Sequence, residues 1–95
     1  MYAVHTEVTI PDGTPVDGPA RGLQAHAIPA VRAAGAVAAY WMEPANGSIL
    51  GVVLFDDETA ARTAASGISV GGRPPDAPDG VSYRTVEVRE VIARL

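Results

Sequence analysis

The chain has 95 residues, no cysteine and a formal net charge of -4, with eleven acidic residues against seven arginines and no lysine. This length corresponds to one domain, and the absence of cysteine excludes disulfides, thiolate nucleophiles and cysteine-ligated metals. The acidic balance without lysine argues against a phosphate-binding surface, so we expect no nucleic-acid partner.

The first predicted element is a strand over residues 2–10, in which apolar and polar residues alternate. One face would carry Tyr2, Val4, Thr6, Val8 and Ile10, and the other Ala3, His5, Glu7 and Thr9. Residues 11–19 are rich in proline, glycine and aspartate, which is typical of a loop and ends the strand.

Residues 19–34 are predicted to form a helix, because apolar residues recur along them at spacings of three and four. Asp17 or Gly18 is suited to begin it, and Gly35 to end it in a left-handed conformation. Pro29 lies inside this helix, where it removes a backbone hydrogen bond at a cost of about 3 kcal/mol. We therefore expect a kink at that point or a helix in two pieces.

A hairpin is predicted from residues 36–43 and 48–55, which flank the pair Asn46-Gly47. Both residues of such a pair tolerate positive φ, which makes the pair a strong signal for a tight turn between strands. The second arm is apolar on both faces, which favours an interior position in the sheet. The first arm contains both apolar and polar residues, which suits an edge.

A second helix is predicted to begin at Asp56, Asp57 and Glu58, since negative charge is favoured near a helix N-terminus. Its buried face would be rich in alanine and extend to Ile68. Residues 66–80 hold four glycines and three prolines, so we expect a long irregular connection of a length often associated with function.

The last predicted strand covers residues 81–91. Alternation assigns Arg84, Val86, Val88 and Ile92 to one face, and Tyr83, Thr85, Glu87, Arg89 and Val91 to the other. The element order then predicts one α+β domain over residues 1–95 with a ferredoxin-like βαββαβ fold, in which two helices cover one face of a four-stranded antiparallel sheet. The other face would combine an apolar centre with a polar rim, which favours a homodimer.

The run from residue 28 to residue 66 resembles the dimeric α/β-barrel superfamily, which includes antibiotic-biosynthesis monooxygenases and uncharacterised actinobacterial proteins. The pattern that carries the resemblance is a helix ending in glycine, a hairpin, and Phe55-Asp56-Asp57-Glu58 followed by Ala60-Ala61-Arg62. The resemblance implies two sheets that close face to face into a barrel with a small cavity in each protomer's half. It also implies cofactor-independent, monooxygenase-like chemistry, for which the family uses Trp, Asn and Arg around an aromatic substrate. Trp41 stands in a suitable strand, while the only asparagine, Asn46, belongs to the turn.

The candidate catalytic residues are His5, Glu7 and Arg89, which pairing of the first and last strands would place on the barrel side. Glu7 lies two residues from His5, close enough to raise the basicity of the imidazole, and Arg89 would bind an anionic or enolate-like oxygen. The alternative is a solvated sheet face whose charges form ordinary inter-strand pairs, each worth roughly 0.2–1 kcal/mol.

The candidate ligand-binding residues are Trp41, Tyr83, Thr85 and Glu87. For Trp41 the alternative is an aromatic residue of the core or of an interface. His26 is expected at the surface or at the boundary between helix and sheet, rather than as a haem ligand. The chain has only two histidines, and they show no spacing typical of metal ligands, so we predict no metal site.

Together these patterns predict a homodimeric protein that binds a small organic molecule, and the resemblance implies monooxygenase-like chemistry without a cofactor. A non-catalytic domain for ligand sequestration or protein association is the alternative. No apolar stretch approaches the roughly 20 residues that span a bilayer, and the N-terminus has no targeting pattern. We therefore expect a cytoplasmic protein with no membrane partner.

Overall fold

A computed structural model describes all residues 1–95. The strands are β1 (Tyr2–Thr9), β2 (Ala38–Trp41), β3 (Ser48–Phe55) and β4 (Ser82–Glu90). The helical segments are α1 (Asp17–Gly22), a π segment (Leu23–Ala27), α2 (Ile28–Ala33) and α3 (Glu58–Ser66). The first three helical segments form one continuous run, so the predicted element order is present.

The four strands form one antiparallel sheet in the order β2-β3-β1-β4. β1 and β3 are therefore interior, and β2 and β4 are edges. The interior position of β3 agrees with its sequence, SILGVVLF, which is apolar on both faces. This small α+β domain, with its four-stranded sheet and two helical runs, is compatible with the predicted ferredoxin-like fold.

The predicted tight turns lie where the backbone adopts positive φ. Asn46 and Gly47 have φ values of 54° and 76°, and Ala45 and Ser48 exchange backbone hydrogen bonds of 3.0 and 3.1 Å across them. Gly35, with φ 94°, ends the first helical run as its position in the sequence predicted. The hairpin thus begins β3 at Ser48, as expected.

The first helical run continues from Asp17 to Ala33 and contains its predicted irregularity next to Pro29. The turn before the proline opens into the π segment, where the Ile28 N–H donates to the Leu23 carbonyl five residues back. A π turn disrupts the ordinary ladder of helical hydrogen bonds at one place only. Because proline has no N–H to donate, we attribute the π segment to Pro29.

α3 begins at the predicted acidic residues and covers the sheet with alanine. The Asp57 carboxylate accepts a 2.8 Å hydrogen bond from the Ala60 N–H, which caps the helix. Ala61 is fully buried, and its small side chain lets the helix approach the sheet closely. The buried core cluster consists of Val4, Val53, Phe55 and Ala61.

Little of the chain is buried for its size. Only nine of the 95 residues are buried, and the accessible surface is 6072 Å². A folded monomer of 9.8 kDa is expected to expose roughly 5,200 Å². The excess of about 900 Å² is similar to the ~800 Å² that each partner buries in a standard protein interface.

Candidate functional site

The sheet has one face packed against the helices and a second face, here called the open face, which carries no helix. The core residues Val4 and Val53 point to the helices, so their neighbours along each strand point to the open face. Cross-strand pairing arranges the open face in three rows across β2, β3, β1 and β4. The rows are Ala38, Leu54, Ala3 and Arg89; Tyr40, Val52, His5 and Glu87; and Met42, Leu50, Glu7 and Thr85.

The open face divides into an apolar half and a charged half. The apolar half lies on β2 and β3 and consists of Ala38, Tyr40, Met42, Leu50, Val52 and Leu54. The charged half lies on β1 and β4 and consists of His5, Glu7, Arg84, Thr85, Glu87 and Arg89, together with the small Ala3. Two side chains of the apolar half, Tyr40 and Met42, are strongly exposed at 62% and 42%.

A β-bulge shapes the charged half. The pairing of β1 with β4 shifts between Glu7 and Val8, so Arg84 and Thr85 both approach Glu7. The Thr85 hydroxyl donates to the Glu7 carboxylate at 3.0 Å, and a terminal nitrogen of Arg84 lies 3.3 Å from the same oxygen. Alternation alone assigned Arg84 to the helix-covered face, and this prediction is wrong because of the bulge.

The hydrogen bond from Thr85 is the main reason that the pKa of Glu7 is lower than that of an ordinary glutamate. Partial desolvation is the second-largest effect and raises the pKa, while the nearby charges of Arg84 and His5 lower it further. Glu7 is therefore held as a carboxylate and is not set up to donate a proton near neutral pH.

The remaining charges of this half are Glu87, Arg89 and His5. The Arg89 Nε donates to the Glu87 carboxylate at 2.8 Å. His5 lies between Val52 and Glu87 in the middle row, and its imidazole takes part in none of the hydrogen bonds or ion pairs of the chain. Among the ionisable groups of the charged half, His5 alone has no partner.

Tyr83 does not share the open face with Thr85, Glu87 and Arg89, as alternation had predicted. Beyond the bulge Tyr83 pairs with Val8, whose side chain points to the helix-covered side of β1. Burial there raises the pKa of the phenol. The backbone of Tyr83 exchanges hydrogen bonds of 2.7 and 2.9 Å with Gly71 and Gly72, so part of the 66–80 connection pairs with the start of β4.

Trp41 also lies on the helix-covered face, not on the open face. It pairs with Gly51 and packs against the core cluster. A Cβ at position 51 would lie 2.7 Å from the indole, so the absence of a side chain at Gly51 makes room for the ring. The aromatic residue that β2 presents to the open face is Tyr40. Thus the structure brings together His5, Glu7, Thr85, Glu87 and Arg89, and separates Trp41 and Tyr83 from them.

A groove that sequence reasoning did not identify lies at one corner of the open face. It encloses about 600 Å³ and is lined mostly by apolar side chains, including Val37, Tyr40 and Leu54. Its two charged side chains are Asp56 and Arg94, and the first and last residues, Met1 and Leu95, also line it. These two residues are distant in the sequence, and only the order of the strands brings them to one groove, so no local motif marks the site.

Elsewhere, the 66–80 connection forms two exposed ion pairs. A nitrogen of His26 in the π segment lies 3.0 Å from the Asp76 carboxylate, and Arg73 lies 3.1 Å from Asp79. His26 thus lies at the surface, as predicted. No group of three histidine, cysteine, aspartate or glutamate side chains is arranged to hold a metal ion.

Comparison of the chain with known protein families, with curated proteins and with solved structures found no match. None of its helices has the length and apolar character needed to cross a membrane.

Proposed function

We propose that the protein is a homodimer that uses the open face as its interface and binds a small organic ligand there. The observation that carries the proposal is the uncovered apolar half of the open face. The accessible surface exceeds that expected for a monomer of this mass by about 900 Å², which is similar to the ~800 Å² that one partner buries in a standard interface.

A second copy is a suitable partner because of the charges on this face. The carboxylates of Glu7 and Glu87 are each paired with an arginine of the same chain, Arg84 and Arg89. The charged half is therefore close to neutral, so two identical faces do not repel each other. A two-fold axis through the apolar half would place apolar surface on apolar surface and leave the charged halves beside it.

The same arrangement supports a ligand site next to His5. Its imidazole has apolar Val52 on one side, Glu87 on the other, and no partner within the chain. A polar group of a bound organic molecule would satisfy it. In this proposal Arg89 and Thr85 orient polar groups of the ligand, and Tyr40 takes the place expected for Trp41 at its apolar end.

Dimerisation is tested by placing a charge in the centre of the apolar half. Val52→Lys is expected to convert the dimer to a monomer, because a buried unpaired ammonium is strongly unfavourable. Val70→Lys is the control, since Val70 is 66% exposed and lies outside the open face. A Val52→Lys protein that keeps the mass of the wild type would contradict the proposed interface.

Ligand binding and chemistry are tested together with 2-naphthol as an aromatic probe. Fluorescence measures binding, and an oxygen electrode measures any oxygen consumed. Binding that weakens in His5→Ala supports the site, and oxygen uptake lost in His5→Ala and Arg89→Ala supports the monooxygenase-like chemistry implied by the resemblance. A dimer that neither binds the probe nor consumes oxygen would favour the alternative, a protein-association domain.

A further inference from the structure

We propose that the corner groove is a second binding site, specific for a small zwitterion with an apolar body, such as an α-amino acid with an apolar side chain. This site is separate from the charged half, and all of its lining residues belong to one protomer. It shares Ala38, Tyr40 and Leu54 with the apolar half, so it rests on a proposed dimer whose contact leaves this corner of the open face uncovered.

The groove is built where four segments of the chain meet. Ala38 at the start of β2 pairs with Leu54 near the end of β3, and Asp56 follows directly after β3. β4 ends at the opposite edge of the sheet, where the Val91 N–H donates to the Met1 carbonyl at 2.9 Å. Residues 91–95 must then cross the ends of β1 and β3 to line the groove beside β2.

The walls of the groove suit an apolar side chain. Eight of its ten lining residues are hydrophobic, and Val37 and Tyr40 are 51% and 62% exposed. Its volume of about 600 Å³ lies within the range of roughly 300–1,000 Å³ that is common for small-molecule sites. An aliphatic or aromatic side chain would cover this exposed surface and remove it from water, which favours binding.

The charges of the groove suit a zwitterion. Asp56 supplies a carboxylate and Arg94 a guanidinium, and neither group takes part in any of the ion pairs of the chain. A ligand ammonium would pair with Asp56, and a ligand carboxylate would accept the paired N–H donors of Arg94. A ligand with only one of these charges would pair with only one of the two protein side chains.

The test is a titration of the ¹⁵N-labelled full chain with L-phenylalanine and L-leucine, followed by amide NMR shifts. We expect saturable shifts at Ala38, Leu54 and Arg94. N-acetyl-L-phenylalanine and L-phenylalanine amide, which each lack one charge, are expected to bind at least about tenfold more weakly, since hydrogen bonds to charged groups contribute about 1.5–3 kcal/mol.

Single substitutions test whether Asp56 binds the ligand ammonium and Arg94 the ligand carboxylate. Asp56→Asn and Arg94→Gln are each expected to raise the Kd for L-phenylalanine about tenfold or more. Arg32→Gln, which removes another exposed arginine outside the groove, is the control and should leave the Kd unchanged. Absence of saturable shifts, or equal Kd values for the zwitterion and both blocked analogues, would overturn the proposal. The mass of the protein in solution tests the dimer separately.

Discussion

The Thr85 hydroxyl donates a 3.0 Å hydrogen bond to the carboxylate of Glu7 across the β-bulge between β4 and β1. The bulge also places Arg84 within 3.3 Å of the same oxygen. Glu7 is thereby fixed as an anion, and the neighbouring His5 is the ionisable side chain of the charged half that has no partner within the chain. A β-bulge next to a polar cluster is a common way to redirect side chains towards a site.

Thr85→Val is expected to raise the pKa of Glu7 towards the ordinary value for glutamate, because it removes the main group that stabilises the carboxylate. A lowered pKa in the folded state stabilises the protein at pH values above the unfolded-state pKa. This stabilisation disappears as the pH falls through the folded-state pKa. The wild type should therefore exceed Thr85→Val in stability at neutral pH, and the difference should shrink in acid.

The measurement is a ¹³C NMR titration of the Glu7 carboxyl group, together with urea unfolding at several pH values. Thr63→Val is the matched control, because Thr63 is an exposed residue of α3 whose hydroxyl takes part in no hydrogen bond. An unchanged Glu7 pKa in Thr85→Val would show that the hydroxyl does not hold this carboxylate.

Gly51→Ala is expected to destabilise the protein by about 1–3 kcal/mol, as is typical when a methyl group is forced into a packed core. The new Cβ would lie 2.7 Å from the Trp41 ring and 2.8 Å from the Thr6 hydroxyl oxygen. Urea unfolding followed by Trp41 fluorescence measures the effect.

Gly22→Ala is the control for this change. Position 22 is helical and has no atom within 4 Å of the added Cβ, so a gain of about 0.4–1 kcal/mol is expected. If Gly51→Ala were as stable as the wild type, Trp41 would not occupy the helix-covered face above Gly51.

Asp57→Ala is expected to lower the free energy of unfolding by about 1 kcal/mol, because the Ala60 N–H loses its cap. Asp57→Ser keeps an acceptor at the cap and should restore most of the loss. Asp56→Ala removes the adjacent acid, which caps no N–H, and should have a smaller effect. Equal losses for the two alanine variants in thermal or urea unfolding would assign the effect to helix charge rather than to capping.

The sequence predicted the elements well because their signals are local. The Asn46-Gly47 turn, the acidic start of α3 and the glycine that ends the first helical run each depend on a few adjacent residues. The disruption at Pro29 was also predictable, although its form as a π segment was not, because several local geometries absorb a proline in a helix.

The composition of the site was less predictable, because it depends on pairing between distant strands. Alternation assumes an unbroken strand, so one extra residue at the bulge moved Tyr83 and Arg84 to the faces opposite those predicted. The face of Trp41 depended on the register of β2 with β3, in which Gly51 provides the space. The corner groove joins residues from both termini and from β2 and β3, and no sequence pattern indicates such a meeting.

The most direct test of the central claim is the solution mass measured by multi-angle light scattering over a dilution series. We predict twice the 9.8 kDa of one chain, persisting to low micromolar concentration, with the open face, apart from the corner groove, buried between two copies. A mass of 9.8 kDa at every concentration would contradict the account, because the open face and its charged half would then be ordinary solvent-exposed surface.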